Sequence, residues 1–253
     1  MQQDSMKLHQ LTGYIQTIYL VEYADKLMLL DGCSRADIPV VREFIEQQLK
    51  RPFSDLSLVV VTHMHPDHAG AANKLRKITG CKIAASNMPG QWYSGISGRL
   101  MHLGDIVAMR WVAKKKKRPI KHVWYSPTLV PDIYLADNSM LPGFDEWQVL
   151  HMPGHTDRDL SLLHLPSNKV YVADLFVKVR KGYIPPLPVF YPNRYKASLN
   201  RLKTLAPKAI WLAHDGEVCL EQTEYDQLLA LAPNEPHTIV KSLRANITKL
   251  WRK

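Results

Sequence analysis

Cysteine is scarce in this chain of 253 residues: there are three, Cys33, Cys81 and Cys219, with no C-x-x-C spacing. An odd, scattered set forms neither a disulfide framework nor a thiolate zinc knuckle, so the expected state is free thiols in a reducing compartment. Long apolar runs are absent too. No stretch of about eighteen residues escapes charge, which excludes a simple membrane-spanning helix. The start, Met1 to Lys7, has Asp4 and no apolar core of the kind a secretory signal carries, and the location expected from it is cytoplasmic. Internal repeats and low-complexity linkers are lacking. Acidic residues are in deficit, 23 against 33 Lys and Arg, for a net charge of +10 that favours anionic partners without naming one. With 46% apolar and 22% charged residues, disorder, collagen and a disulfide miniprotein are excluded.

Strand and helix signals alternate along the whole length. Runs rich in β-branched and aromatic residues predict strands at Tyr14 to Val21, Lys26 to Leu30 and Leu56 to Val61. Asp37-Ile38-Pro39 opens a helix carrying Val41, Phe44, Ile45 and Leu49 on one face. A helix through Ala71, Ala72, Leu75 and Ile78 ends at Gly80, and a strand covers Cys81 to Ala85. Further strands are expected at Ile133 to Ala136, Trp147 to His151, Leu160 to Leu165, Lys169 to Ala173 and Ala209 to Ala213. Ile184 to Pro192 reads as a Pro-rich loop. Leu199, Leu202 and Leu205 mark a helix, and Val240, Leu243, Ile247 and Leu250 mark the last of two closing helical patterns. The fold class predicted is α/β, in a single domain over residues 1–253 with a basic, aromatic insertion at about 91–131 and a short helical tail at about 221–253.

Four potential ligands fall within six residues in His63-x-His65-x-Asp67-His68, directly after an apolar strand. A short loop at a strand end aims several side chains at one point, and imidazole with carboxylate suits zinc, iron or manganese better than calcium or magnesium. Each remaining candidate lies at or just after a strand end: His155 after Met152-Pro153-Gly154, Asp174 after Val172-Ala173, and His214 after Leu212-Ala213.

Together with Leu29-Leu30-Asp31-Gly32, Pro153-Gly154-His155-Thr156, Ala173-Asp174 and Ala213-His214-Asp215-Gly216, this order resembles the metallo-β-lactamase superfamily over residues 14–216. The resemblance implies an αββα sandwich of two mixed β-sheets with helices on the outer faces. It implies a dinuclear site in which His63, His65 and His155 hold one metal, Asp67, His68 and His214 the other, and Asp174 bridges them. Two Zn2+ ions are expected, with Fe or Mn as alternatives. A metal-bridging hydroxide would then be available near neutral pH for attack on a carbonyl carbon or phosphorus. Asp67 is also the candidate to move a proton, and Asp31 is expected to orient a ligand histidine from behind.

Departures within the family narrow the chemistry. Histidine at position 65 favours hydrolysis over the di-iron oxygen-reducing branch, where an acidic residue stands. The secreted β-lactamases need an export signal and often carry Cys or Ser at the position of Asp174. The hydroxyacylglutathione hydrolases match every ligand and Asp174-Leu175-Phe176, but their terminal helical domain is longer than residues 215–253. The interval 174–214 is too short for the nucleic-acid domain of the RNA-cleaving branch. The function expected is hydrolysis of an ester-like acyl bond, a thioester or lactone. The alternative is a phosphodiesterase or RNA-processing nuclease with the same metal site, and behind it a β-lactamase or a non-catalytic binding protein.

Substrate determinants are less distinct. Lys114 to Arg118, with Lys121 and His122, form a basic run flanked by Trp111, Trp124 and Tyr125. It serves as a solvated loop, a phosphate grip, or the basic end of an apolar helical face, Leu100, Leu103, Val107 and Trp111, resting on acidic lipid. After Asp174, the substrate-binding candidates are Tyr183, Tyr191, Asn193 and Arg194, with Tyr195 a further possible phenol donor. The partner expected is a small molecule, anionic or lipid-like. Nucleic acid, a peripheral membrane contact and homo-oligomerisation remain open.

Overall fold

The computed structural model describes residues 6–238. The expected helix at Val240, Leu243, Ile247 and Leu250 lies outside the described residues. The chain divides between Ala136 and Asp137 into two compact units.

The first unit is built on a six-stranded mixed sheet in the order β1 to β6: β1 Lys7–Thr12, β2 Thr17–Glu22, β3 Leu27–Leu29, β4 Leu56–Val61, β5 Lys82–Ser86 and β6 Ile133–Leu135. β2 runs antiparallel to both β1 and β3, and β3 to β6 run parallel. Parallel neighbours need crossovers, supplied by α1 Ile38–Glu43, by α2 Pro66–Ala69 with α3 Ala72–Thr79, and by α4 Gly95–Lys115. Leu27, Leu29, Val59, Val61 and Ile83 form one core with Val41, Ile45, Leu75, Ile106 and Met109 from the helical segments. The alternate residues Met28, Leu58, Val60 and Ala84 are buried as well, as central parallel strands require. At about 1.5–3 kcal/mol for each fully buried aliphatic side chain, this core fixes where β4 ends and hence where the histidine loop begins.

The strand pattern of this unit departs from the sequence reading near its start. The strand expected from Tyr14 begins at Thr17, because Gly13 to Gln16 close a tight loop through the Gly13 N–H on the Gln16 carbonyl, 2.8 Å. β1 was not anticipated, since only Leu11 of its six residues is buried and an edge strand of that kind carries a weak apolar pattern. Within 91–131 the chain forms the 21-residue α4. Its buried residues are Gly98, His102, Ile106, Met109 and Ala113, so the apolar face read from the sequence, Leu100, Leu103, Val107 and Trp111, is the outward one.

The second unit holds another six-stranded mixed sheet, in the order β14-β13-β10-β9-β8-β7: β7 Met140–Leu141, β8 Phe144–His151, β9 Leu160–His164, β10 Lys169–Tyr171, β13 Ala209–Leu212 and β14 Gly216–Val218. Only β10 and β13 pair in parallel. A separate hairpin, β11 Val177–Val179 with β12 Gly182–Ile184, precedes α5 Pro192–Leu205, and α6 Gln222–Leu231 follows the sheet. Leu199 and Leu202 of α5 and Leu228 of α6 share a core with Val170, Ile210 and Leu212. The fold class is thus α/β with two large mixed sheets, one in each unit. Among the described residues no helix is long and apolar enough to cross a membrane.

Candidate metal centre

In the first unit, β4 delivers the chain at Val61 into Thr62-His63-Met64-His65, and Pro66 starts α2 with His65 as its N-cap residue. The helical turn then sets Asp67 and His68 side by side. The loop is tied from several directions. Tyr125 Oη donates to the Met64 carbonyl, with Tyr93 Oη 3.2 Å from the same oxygen, and Gln16 Nε2 donates to the Asp67 carbonyl. Gly32 packs so closely that a Cβ there would stand 2.5 Å from the His68 carbonyl oxygen.

Asp31, at the end of β3, organises the ring nitrogens. Its Oδ1 accepts from the N–H groups of Gly32 at 3.0 Å and Thr62 at 3.2 Å. Its Oδ2 accepts from Thr62 Oγ1 at 2.7 Å and His68 Nδ1 at 2.6 Å. A carboxylate only accepts, so the His68 proton sits on Nδ1 and the Nε2 lone pair is left for a metal. Nε2 lies 3.6 Å from Asp67 Oδ2. Thr62, having donated to Asp31, accepts from His63 Nδ1 at 3.1 Å, which leaves the lone pair of His63 on Nε2. That atom stands 3.1 Å from His65 Nδ1, while His65 Nε2 faces Asp105 Oδ2 of α4 at 3.7 Å. Asp105 is held by Tyr93 Oη at 2.8 Å, and burial, with Tyr125 and Asp105 alongside, keeps the Tyr93 phenol far above its ordinary range and protonated.

In the second unit, His155 lies in the loop between β8 and β9. Asp159 closes this loop: its Oδ2 accepts from the Gly154 and Thr156 N–H groups at 3.1 and 2.7 Å, and its Oδ1 accepts from Thr156 Oγ1. Burial raises the Asp159 carboxyl pKa, opposed by His155 and by those hydrogen bonds. Gly154 has φ +155°, and a Cβ on it would meet Tyr195 Cα at 2.5 Å, so the turn fits against the first turns of α5 only with glycine there. His155 Nδ1 donates to the Pro188 carbonyl at 2.6 Å, leaving Nε2 as the lone-pair donor.

Asp174 and His214 are neighbours for a topological reason. Tyr171 of β10 pairs with Trp211 of β13, and both ligand candidates lie three residues further along these parallel strands. Ala173 takes a left-handed conformation, φ 48°, which turns the chain into Asp174. One carboxylate oxygen, Oδ1, is 3.3 Å from His214 Nε2, and the other, Oδ2, is 3.8 Å from His155 Nε2.

These donors fit a metal. In the first unit the ligand atoms of His63 and His65, and those of Asp67 and His68, lie within 4.8 Å of each other, and in the second so do those of His155 and Asp174. Three histidines have their second nitrogen spent on an acceptor, the arrangement that fixes the tautomer a metal needs. Sequence reasoning missed Asp105, Thr62, Gln16 and Asp159. Only Asp159 had a local signal, the Thr156-x-x-Asp159 spacing of a side chain closing its own turn. Of the substrate candidates, Tyr183 lies in β12 with its ring edge-on to Phe176, and Tyr191 precedes α5 with the Arg194 guanidinium 5.1 Å above its ring. Asn193 and Arg194 are exposed in the first turn of α5, whereas Tyr195 is fully buried.

The family model described as the metallo-beta-lactamase superfamily matches residues 11–214. The probable metallo-hydrolase YqjP of Bacillus subtilis (strain 168) is 23% identical over 219 residues, covering 78% of this chain and 66% of that protein. Among solved structures, the metallo-beta-lactamase family protein TTHA1429 of Thermus thermophilus superposes with a TM-score of 0.65 at 19% identity, covering 89% of this chain and 78% of that one. TTHA1623 in a di-iron-bound form gives 0.56 at 21% identity, covering 84% and 94%. At these identities the structural likenesses show the fold.

Proposed function

Because the chain belongs to the metallo-β-lactamase superfamily, whose membership supports a metal-dependent hydrolase, we propose that it hydrolyses an ester-like acyl bond, a thioester or lactone, at a dinuclear centre. In this reading His63, His65 and His155 hold one ion, Asp67, His68 and His214 the other, and Asp174 bridges them. The observation that carries it is the presentation of Asp174: its two oxygens face two histidines assigned to different ions, which suits its carboxylate to bridge them. When bound, the metal pair supplies an acidified water and a Lewis acid for the developing oxyanion. Asp31, Thr62 and the Pro188 carbonyl hold the histidine protons away from the metal-facing nitrogens, and Asp67 offers a carboxylate for proton movement.

The acyl choice is supported by what lies between Asp174 and His214: the β11–β12 hairpin, a loop, α5 and β13, with no further domain to grip nucleic acid. Zinc is the metal proposed, since nitrogen and oxygen donors without thiolate suit it; the di-iron form of a structural neighbour makes iron the competitor. The substrate proposed is a small molecule, and free Cys33, Cys81 and Cys219 support a cytoplasmic setting.

The test is turnover of a generic thioester, a lactone and a bis-aryl phosphodiester by zinc-replete protein, with His65→Ala alongside. Acyl turnover lost in the variant supports the proposal. Phosphodiester turnover alone, or acyl turnover unchanged by the variant, overturns it.

A further inference from the structure

The helix α4 is apolar on two faces, and only one is used inside the first unit. Its inner face holds His102, Ile106 and Met109, with Asp105 beside them reaching His65. On the opposite side Ile96, Leu100, Leu103, Val107 and Trp111 are 83, 63, 45, 64 and 57% exposed. At about 100° per residue these five fall within a sector of about 80°, a continuous stripe along a helix about 30 Å long. Beyond the helix Ile120 and Trp124 are exposed as well. A stripe of this extent on the surface marks an interaction site, since isolated exposed apolar residues are ordinary and a contiguous row is not.

The charge around the stripe identifies the partner. Residues 95–125 contain eight Lys or Arg and a single acid, Asp105, which is turned inward. Arg99 and Arg110 flank one edge of the stripe, while Lys114, Lys115, Lys117 and Lys121 extend from its end, all exposed. Lys115 Nζ stands 3.8 Å over the Trp111 ring, joining the basic cluster to the last apolar residue. Lys116 Nζ and Arg118 instead bind the carbonyls of Ile15 and Gly13, anchoring the segment after the helix.

We propose that this face docks on an anionic lipid surface, with α4 lying in the plane of the interface, its aliphatic stripe in the acyl boundary and its lysines among acidic headgroups. A second copy of the chain fits less well, because a twofold contact through this face would set basic residues against basic residues. Nucleic acid would satisfy the lysines but leave Ile96, Leu100, Leu103 and Val107 in water. The proposal is independent of the reaction at the metal centre.

Sedimentation of the full chain with vesicles of phosphatidylcholine, alone or mixed with phosphatidylserine, tests it. Binding to the mixed vesicles at low salt, with little to phosphatidylcholine alone, is the expected result. Each lysine near an anionic surface contributes about fivefold, so Lys114→Gln/Lys115→Gln/Lys117→Gln should weaken binding about 100-fold. Leu100→Ser/Val107→Ser should weaken it as well, and brominated lipid should quench a fluorescence component that Trp111→Phe removes. These side chains are exposed, so far-ultraviolet circular dichroism and the urea midpoint should be unchanged in every variant. The proposal fails if mixed vesicles do not sediment the protein or if both multiple variants bind like the wild type. It fails equally if light scattering shows a dimer that Leu100→Ser/Val107→Ser dissolves, or if the protein binds single-stranded RNA and no vesicle.

Discussion

Asp31→Asn separates positioning from packing. The native carboxylate uses both oxygens as acceptors, Oδ1 for two backbone N–H groups and Oδ2 for Thr62 Oγ1 and His68 Nδ1. An amide has one accepting end. With its oxygen toward Gly32 and Thr62, the NH2 group faces His68 Nδ1, which must become an acceptor; the proton then moves to Nε2 and removes the lone pair meant for the metal. Loss of such an outer partner costs about 10- to 100-fold in metal affinity. The stability cost should stay near about 1–3 kcal/mol, because the backbone donors keep their acceptor. Asp31→Ala, by contrast, leaves two buried N–H groups unsatisfied at about 1–3 kcal/mol each and should be much less stable. Zinc titration calorimetry, urea midpoints and the 15N shifts of the His68 ring read the three quantities. Metal affinity equal to wild type, with the His68 proton still on Nδ1 in the asparagine variant, would refute the tautomer argument.

Two further perturbations address local devices. Gly154→Ala combines positive-φ strain with a Cβ placed 2.5 Å from Tyr195 Cα and should destabilise by about 2–6 kcal/mol in urea unfolding; a change under about 1 kcal/mol would show that the turn gives way freely. His102 sits among the rings of Tyr93, Trp124 and Tyr125, and burial lowers its pKa below the ordinary 6.5, helped by Arg99 and opposed by Asp105. The unfolded chain therefore takes up this proton first, so the His102 contribution is complete above 6.5 and is lost as pH falls through the depressed value. Urea midpoints measured at about pH 8 and about pH 5 should differ less in His102→Phe than in wild type, and equal differences would contradict the assignment.

The candidate ligands of the first unit were legible because they are adjacent: His63, His65, Asp67 and His68 need only a strand end and one helical turn to converge. Asp174 and His214 were legible as strand ends, although their pairing depends on the parallel register of Tyr171 with Trp211, which no local pattern encodes. Asp105 was invisible for the same reason. It lies 40 residues beyond His65 on a helix whose inner face is composed of Gly98, His102, Ile106 and Met109, a row less apolar than the outer one. Hydrophobic periodicity therefore reported the outer face of α4 and passed over the inner one, because that helix has two apolar surfaces and periodicity reports only the stronger. The β11–β12 hairpin escaped notice because its strands are three residues long and mostly exposed or half-buried.

The central claim is that seven side chains hold two metal ions with Asp174 between them. Elemental analysis of the chain after zinc loading and removal of loose metal tests it most directly, on wild type and on Asp174→Ala. The account predicts two zinc ions per chain, with binding weakened at both positions when Asp174 is removed. A wild-type chain that retains one ion or none, or an Asp174→Ala chain that still retains two with undiminished affinity, would contradict it.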